Sequence, residues 1–291
     1  MNFGITLPNF GKYADKNEIL NIATAAQELG FDSIWVSDHI VIPDTHKGFG
    51  DVFYEPIVTL SYLASITKGI KLGSSVIILP YRNPVVLAKM VSTLDQLSGA
   101  RVILGIGAGW LEKEFQALGV PYSDRGEMTD EFLKVLKTLW TQENPSFNGK
   151  YFNFSDIKFL PKPVQKPYPP IWIGGGSDKA IERAATYGDG WHPVGLTPEK
   201  LKERLNHLNK LLTNQKKENF TISLRRNLEI NNDKTISPDD TLRGSIEKIV
   251  KGIKDYKELG VNHLILHFLS GTSEGVLNTM KRFSNEIRTQ I

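Results

Sequence analysis

The stretch KLGSSVIILPYRNP, from Lys71 to Pro84, contains a short apolar run of the kind that forms a buried strand in a parallel sheet. Val76–Leu79 supply the run, and Pro80 closes it. Before the run stand Gly73, Ser74 and Ser75, which are weak strand formers. We infer that the start of this strand leaves space for something beside it.

Seven similar runs occur along the chain, and helical patterns lie between them. The strand candidates are Phe3–Pro8, Ser33–His39, Ile70–Ile78, Arg101–Gly107, Pro170–Gly176, Gly190–Gly195, Ile222–Ile230 and Asn262–Phe268. The helix patterns include one capped by Asp15 together with Glu18, one at Thr129–Trp140 and one at Ser245–Gly260. Eight strands that alternate with helices predict a closed (β/α)8 TIM barrel of the α/β class.

The length of 291 residues permits either one elaborated barrel or two small domains. The regular alternation favours one domain over residues 1–291, with insertions at about 41–55 and 144–170. The second insertion contains Asn148-Gly149, a turn signal that predicts a small hairpin. Insertions in a barrel usually shape the mouth of the active site.

The composition narrows the class of protein. The hydrophobic share of 40% and the charged share of 23% are typical of a soluble globular domain. The net charge of +3 is spread along the chain, which argues against a nucleic-acid partner. There is no cysteine, so disulfides and thiolate chemistry are excluded. We find no secretory signal and no apolar stretch of about 18 residues, so we expect a cytoplasmic protein without a membrane partner.

Glycines cluster where the fourth and fifth strands end. Gly174, Gly175 and Gly176 precede Ser177 and a predicted helix, an arrangement that can hold a phosphate at a helix N-terminus. The alternative is a tight strand-to-helix turn without a ligand. Gly105, Gly107 and Gly109 give the fourth strand a face without side chains, against which a flat ring could lie.

Asp38 and His39 end the second strand, and only one of the two can point into the barrel mouth. His39 could contact a cofactor ring or move a proton, or it could simply bond to loop backbone. The spacing around Glu114 favours a solvent-facing helix position, and we expect Trp110 and Trp191 to be packing residues. His263 and His267 have no clustered carboxylate or cysteine beside them, so we expect no metal site.

Four segments together resemble the bacterial-luciferase-like flavin and deazaflavin oxidoreductases. They are GFDSIWVSDH (Gly30–His39), the long block from Leu72 to Gly119, PPIWIGGGS (Pro169–Ser177) and GDGWHP (Gly188–Pro193). The resemblance implies a luciferase-like barrel that binds coenzyme F420 or FMN at its strand ends, with a non-prolyl cis peptide at Ser75–Val76. The cofactor-binding residues that it implies are Asp38, His39, Ser74, Ser75, Val76, Gly105, Gly107, Gly109, Gly174, Gly175, Gly176 and Ser177.

The segments at Ser37–His39 and after Gly105 resemble the F420-dependent branch most closely, which implies hydride transfer between F420 and a small organic substrate, with His39 as the catalytic residue. In the sugar-phosphate dehydrogenases of that branch a glutamate follows the glycines, and Trp110 stands there in this chain. The alternatives are an FMN-dependent monooxygenase, a non-catalytic flavin-binding barrel and a phosphate-binding sugar isomerase. The resemblance also implies a homodimer.

Overall fold

Eight parallel strands close into a barrel in the computed structural model, which describes residues 1–44, 50, 52–215, 217, 219–231, 242–270 and 272–291. The barrel strands are β1 (Asn2–Thr6), β2 (Ser33–Val36), β3 (Lys71–Ser74), β5 (Val102–Gly107), β8 (Ile171–Gly174), β9 (Gly190–His192), β10 (Thr221–Ile230) and β12 (His263–Phe268). The order β12-β1-β2-β3-β5-β8-β9 is closed through β10, which pairs with both β9 and β12. The predicted TIM barrel is therefore confirmed.

Helices surround the barrel between its strands. They are α1 (Lys16–Glu28), α2 (Pro56–Ile66), α3 (Pro84–Ser98), α4 (Glu112–Ala117), α5 (Arg125–Thr141), α6 (Asp178–Tyr187), α7 (Pro198–Asn214), α8 (Ile246–Glu258) and α9 (Ser273–Arg282). Asp15 caps α1 as predicted, because its carboxylate accepts hydrogen bonds from the N–H groups of Asn17 and Glu18. In the parts of the chain with described coordinates, no helix combines the length and apolarity that crossing a membrane requires.

The third strand is interrupted where the sequence is rich in glycine and serine. It stops at Ser74, the Ser75–Val76 peptide is cis, and the short strand β4 (Ile77–Ile78) then pairs with β5. The predicted cis peptide is therefore present. Ser75 N–H donates to the carbonyl of Val36 at 2.7 Å, which ties the interruption to the end of β2.

The space beside Gly73 is filled by an aromatic side chain. A Cβ at Gly73 would collide with the indole of Trp35, and a Cβ at Gly4 would lie 2.5 Å from the same side chain. Trp35 stacks on Trp172 with ring centroids 5.1 Å apart in the middle of the barrel. The space that the sequence predicts beside Gly73 is therefore occupied by Trp35.

The two predicted insertions differ in what the structure describes. Residues 45–49 and 51 of the first lie outside the described residues. In the second, β6 (Phe147–Asn148) and β7 (Asn153–Phe154) form the predicted hairpin. The Glu131 carboxylate of α5 accepts hydrogen bonds from the backbone N–H groups of Lys150, Tyr151 and Phe152, each at 2.8 Å, and so holds the turn against the barrel wall.

Candidate active site

His39 and Glu114 form a hydrogen-bonded pair at the carboxyl end of β2. His39 Nδ1 lies 2.7 Å from Glu114 Oε2, and the Glu114 side chain is completely buried. The same carboxylate accepts hydrogen bonds from the Ile40 N–H at 2.5 Å and the Tyr81 hydroxyl at 2.9 Å. The expectation that Glu114 faces solvent is wrong, because α4 turns this position toward the loop after β2.

The surroundings of Glu114 keep it ionised. Burial by itself would raise the pKa of the carboxyl group, but hydrogen bonds from His39 and the Ile40 N–H, with the charge of His39, outweigh burial and lower the pKa. The pKa of Tyr81 is raised by burial and by its bond to Glu114, so its hydroxyl keeps its proton. The ionised Glu114 carboxylate can accept a hydrogen bond from His39 Nδ1–H, which would fix the orientation of the imidazole ring.

Asp38 points to a different set of partners. Its carboxylate binds both Nη atoms of Arg82, at 2.6 and 2.9 Å, and accepts a hydrogen bond from the Ile78 N–H at 2.9 Å. Arg82 also pairs with Glu55 at 2.8 Å. The two neighbours thus have different partners: Asp38 binds β4 and Arg82, and His39 binds Glu114. A contact of Asp38 with a cofactor stays a prediction.

Ser75 lies between two groups that sequence reasoning did not connect. Its hydroxyl is 2.9 Å from His192 Nε2, and its carbonyl accepts a hydrogen bond from Arg225 Nη1 at 3.3 Å. His192 Nδ1 is in turn 2.9 Å from the Ser223 hydroxyl. Burial, with the charge of Arg225, lowers the pKa of His192 to about 3, so this histidine is neutral.

The glycines of the fourth and fifth strands accommodate the interrupted third strand. A Cβ at Gly107 would lie 2.7 Å from the Val76 side chain, and one at Gly174 would lie 2.8 Å from it. A Cβ at Gly105 would collide with the Ser74 carbonyl. Ser74 donates its hydroxyl to the Gly105 carbonyl at 2.9 Å. These contacts bring the predicted Ser74–Val76 and glycine groups together, and their contacts with a cofactor ring stay predictions.

Gly109 makes room for other side chains of the same region. A Cβ there would lie 2.7 Å from Ile78 and 2.8 Å from Phe115. Trp110, which we expected to pack, is 51% exposed, and its ring lies 6.2 Å from that of His39. Trp191 is buried as expected, and its Nε1–H donates to the Gly175 carbonyl at 2.8 Å.

The segment Gly174–Ser177 fits a phosphate. Ser177 caps α6 by accepting a hydrogen bond from the Ala180 N–H, and the partial positive charge of that helix end faces the preceding glycines. A Cβ at Gly176 would meet nothing closer than 3.8 Å, so the backbone is open on that side. Asp178 pairs with Arg204 of α7 at 2.6 Å, which compensates the one negative charge nearby.

Arg225 and His267 are mouth residues that the sequence analysis did not select. Arg225 Nη1 donates to the Ser37 hydroxyl at 3.0 Å, and burial lowers the pKa of the guanidinium to about 10. Burial and the charge of Arg225 also lower the pKa of His267 to about 4. The signal that could have indicated this group is the pair Arg225-Arg226, two adjacent cations inside a predicted barrel strand.

A cavity of about 770 Å³ lies at the opposite end of the barrel. Its walls include Asn2, Lys71, Thr221 and His263, which stand at the amino ends of their strands. Catalytic groups of TIM barrels come from the carboxyl ends, so we place the candidate active site at the mouth beside His39. The described residues contain no group of three histidines, aspartates or glutamates arranged to hold a metal ion.

Two oxidoreductases of known activity match about half of this chain or slightly more. The F420-dependent glucose-6-phosphate dehydrogenase of Amycolatopsis mediterranei (strain U-32) is 33% identical over 178 residues, which are 60% of this chain and 52% of that protein. The FMNH(2)-dependent dimethylsulfone monooxygenase of Pseudomonas putida is 33% identical over 165 residues, which are 55% of this chain and 45% of that protein. The alignments thus span about half the length of these two relatives.

The fold has solved counterparts. An F420-dependent secondary alcohol dehydrogenase in complex with an F420-acetone adduct superposes with a TM-score of 0.85 and 21% identity, over 99% of this chain and 98% of that one. The family model for luciferase-like monooxygenases matches residues 1–235. The chain therefore belongs to the luciferase-like monooxygenase family.

Proposed function

We propose that the chain is an oxidoreductase that transfers a hydride between coenzyme F420 and a small organic substrate. The observation that carries the proposal is the 2.7 Å bond between His39 Nδ1 and the buried Glu114 carboxylate. A histidine oriented by an ionised carboxylate is suited to proton transfer near neutral pH. Hydride transfer to or from a carbon that bears oxygen requires such a partner, because a proton must move as well.

His39 would act on the oxygen of the substrate. In alcohol oxidation, Nε2 would take the hydroxyl proton while the carbon gives up its hydride, and a carbonyl compound results. Carbonyl reduction would reverse both transfers, so that His39 returns the proton to oxygen. Glu114 would hold the ring in one tautomer and stabilise the imidazolium that forms. F420, when bound, would supply the site that accepts or donates the hydride.

Gly175, Gly176 and Ser177 would hold the cofactor phosphate at the start of α6. Ser74–Val76, beside the glycines of β5 and β8, would lie against its ring. The aromatic rings at the mouth would limit water: Phe10 and Phe53 stack at 5.3 Å, and Phe53 lies 5.0 Å from the His39 ring. These apolar walls favour a small, partly apolar substrate.

An FMN-dependent monooxygenase is the second candidate. The 33% identity to the dimethylsulfone monooxygenase supports it as strongly as the equal identity to the F420-dependent dehydrogenase supports the first proposal. The same aromatic walls would then keep water away from the bound flavin. FMN and F420 both carry a phosphate, so the glycine segment fits either cofactor.

Titration of the purified protein with F420 and with FMN, followed by fluorescence quenching, tests the proposal. We expect micromolar binding of F420 and weaker binding of FMN. Micromolar binding of FMN with none of F420 would establish the second candidate instead. Binding without turnover, across a panel of small alcohols, ketones and sulfones, would identify a non-catalytic flavin-binding barrel.

The variant His39→Ala tests the proposed role of this histidine in hydride transfer. We expect it to lower the single-turnover rate of hydride transfer about 100-fold or more while cofactor affinity changes little, because the loss of a general base costs about 10²–10⁴ in rate. An unchanged rate would remove His39 from the mechanism.

The cytoplasmic location stays a prediction.

A further inference from the structure

Arg225 is a partly buried cation whose only hydrogen-bond acceptors in the described residues are neutral. Nη1 donates to the Ser37 hydroxyl at 3.0 Å, and to the carbonyl and hydroxyl of Ser75 at 3.3 and 3.4 Å. No hydrogen bond from Nη2 or Nε to a described residue is formed. One edge of the guanidinium is thus fixed, and the other edge remains available for a ligand.

Arg82 shows what a compensated arginine looks like in the same barrel. It pairs with Asp38 at 2.6 Å and with Glu55 at 2.8 Å. Within the described ranges, no carboxylate lies within ion-pair distance of Arg225, and burial is the sole cause of its lowered pKa. An unpaired cation away from water is costly, so a chain that retains one usually gains something when a ligand binds.

The groups around Arg225 form one side of the mouth. His267 Nδ1 is buried and has no hydrogen-bond partner among the described residues, and the His267 ring stacks on Phe10 at 5.9 Å. Arg225 lies over the same Phe10 ring at 5.8 Å. A fixed cation, an unpartnered imidazole nitrogen and an aromatic wall therefore converge beside Ser75.

We propose that Arg225, with His267 beside it, forms a subsite for a negatively charged group of the bound ligand. An arginine edge binds a flat anionic group through two parallel hydrogen bonds. This inference rests on the proposed function, which places a cofactor and a substrate at this mouth. The anion can then come from two sources. One is a carboxylate or sulfonate of the substrate, and the other is the negatively charged ring of the reduced cofactor.

The stability of the ligand-free protein separates this role from a structural one. We expect Arg225→Met to leave the melting temperature in phosphate-free buffer unchanged or raised, because it removes a charge that lacks a partner. Arg82→Met is the matched control, and we expect it to lower the melting temperature by several degrees, since it leaves Asp38 and Glu55 without their cation. A fall in Arg225→Met equal to that in Arg82→Met would overturn the proposal.

Binding measurements identify the source of the anion. The probes are the oxidised and the reduced form of whichever cofactor the wild type binds, under anaerobic conditions, together with benzoate and methanesulfonate. The two cofactor forms share their phosphate, so a difference between them reports on the ring. We expect a loss of at least about 10-fold in Arg225→Met for one set of probes and a smaller loss in Arg225→Lys, which keeps the charge without the fork.

Loss of affinity for the reduced cofactor alone would assign the subsite to the cofactor ring. Loss of affinity for benzoate or methanesulfonate, with unchanged affinity for both cofactor forms, would assign the subsite to an acidic substrate. Wild-type affinities for all probes in Arg225→Met would overturn the proposal. Arg282→Met, on the outer helix α9, controls for a general effect of charge. Failure of the proposed function looks different, since the wild type would then bind FMN without F420, or neither cofactor.

Discussion

Glu114 controls how His39 can act, because its carboxylate fixes one ring nitrogen and carries the compensating charge. Glu114→Gln keeps the shape and one acceptor oxygen but removes the charge. We expect it to lower the single-turnover rate of hydride transfer about 10- to 100-fold, part of the 10²–10⁴ that a general base contributes. Rapid-mixing measurements with preloaded cofactor would show this effect.

Tyr81→Phe is the control for Glu114→Gln. It removes one hydrogen bond to the same carboxylate without changing its charge, so we expect a loss of rate well below that of Glu114→Gln. Equal rates in Glu114→Gln and the wild type would mean that the carboxylate only supports the loop at Ile40. In that case the variant would change stability without changing the chemical step.

The residues of the site were predictable to different degrees. The end of β2 made His39 a candidate, because TIM barrels carry their chemistry at strand ends, and the family resemblance implied its catalytic role. Glu114 was missed because helical spacing does not indicate what a short helix packs against. Arg225 and His267 stand on two different strands, and the contact of Arg225 with Ser75 depends on barrel closure, which no local pattern expresses. Finding these four residues therefore required strand position, the packing of a short helix and the closure of the barrel.

At the scale of elements, β3 and β5 fit together through missing side chains. A Cβ at Gly107 would press on Val76 Cγ2 at 2.7 Å. We expect Gly107→Ala to lower the free energy of unfolding by about 1–3 kcal/mol, as overpacking does. The double variant with Val76→Ala should lose less free energy of unfolding than the two single variants lose together. The smaller side chain at position 76 leaves room for the new methyl group. Urea unfolding measures each value.

Two other glycines control for this explanation. Gly105→Ala should not be rescued by Val76→Ala, because the nearest atom at that position is the backbone carbonyl of Ser74. Gly176→Ala should leave stability nearly unchanged, since its closest neighbour would be 3.8 Å away. Strictly additive effects in the Gly107 and Val76 pair would show that the close approach is not what the glycine provides.

The elements themselves followed from pattern with good accuracy. All eight predicted strands exist in the predicted order, because a parallel barrel strand is buried on both faces and its apolar run is continuous. Boundaries were less accurate: α5 begins at Arg125, four residues before the predicted start, since helix ends depend on local caps. The interruption of β3 came from the family resemblance, as apolar pattern alone predicted one strand from Ile70 to Ile78.

At the scale of the whole molecule, the barrel interior makes stability depend on pH. Burial, first of all, lowers the pKa of His192 to about 3 and that of His263 to about 4. In the unfolded chain both would titrate near 6.5, so below that pH the unfolded state binds more protons than the folded state. Stability is therefore expected to fall as pH decreases from about 6.5 toward 4, by up to about 1.4 kcal/mol per pH unit for each histidine.

His192→Gln tests this dependence. The glutamine amide can bond to the hydroxyls of Ser75 and Ser223 but does not titrate, so the variant should lose stability less steeply on acidification. Urea unfolding at several pH values between 4.5 and 7 gives the slope for each protein. Parallel curves for the variant and the wild type would show that His192 does not contribute to the acid sensitivity.

We predict that the chain forms a homodimer through the outer helices α2 and α3. These neighbouring helices expose large apolar side chains at helical spacing. They are Val58, Tyr62 and Ile66 on α2, and Val86, Met90 and Leu97 on α3. Leu97 is 76% exposed, and exposed apolar side chains on two neighbouring helices are typical of an interface between identical subunits.

Sedimentation of the wild type should therefore give twice the mass of one chain. The double variant Val58→Asp with Val86→Asp should give the mass of one chain, because a two-fold contact would bury the new carboxylates without partners. Asn209→Asp, on the exposed side of α7, is the control and should remain dimeric. None of these six side chains belongs to the candidate site at the barrel mouth, so the monomeric variant should still bind cofactor. A wild type that sediments at the single mass would refute the dimer and leave the apolar face of α2 and α3 open to a different partner.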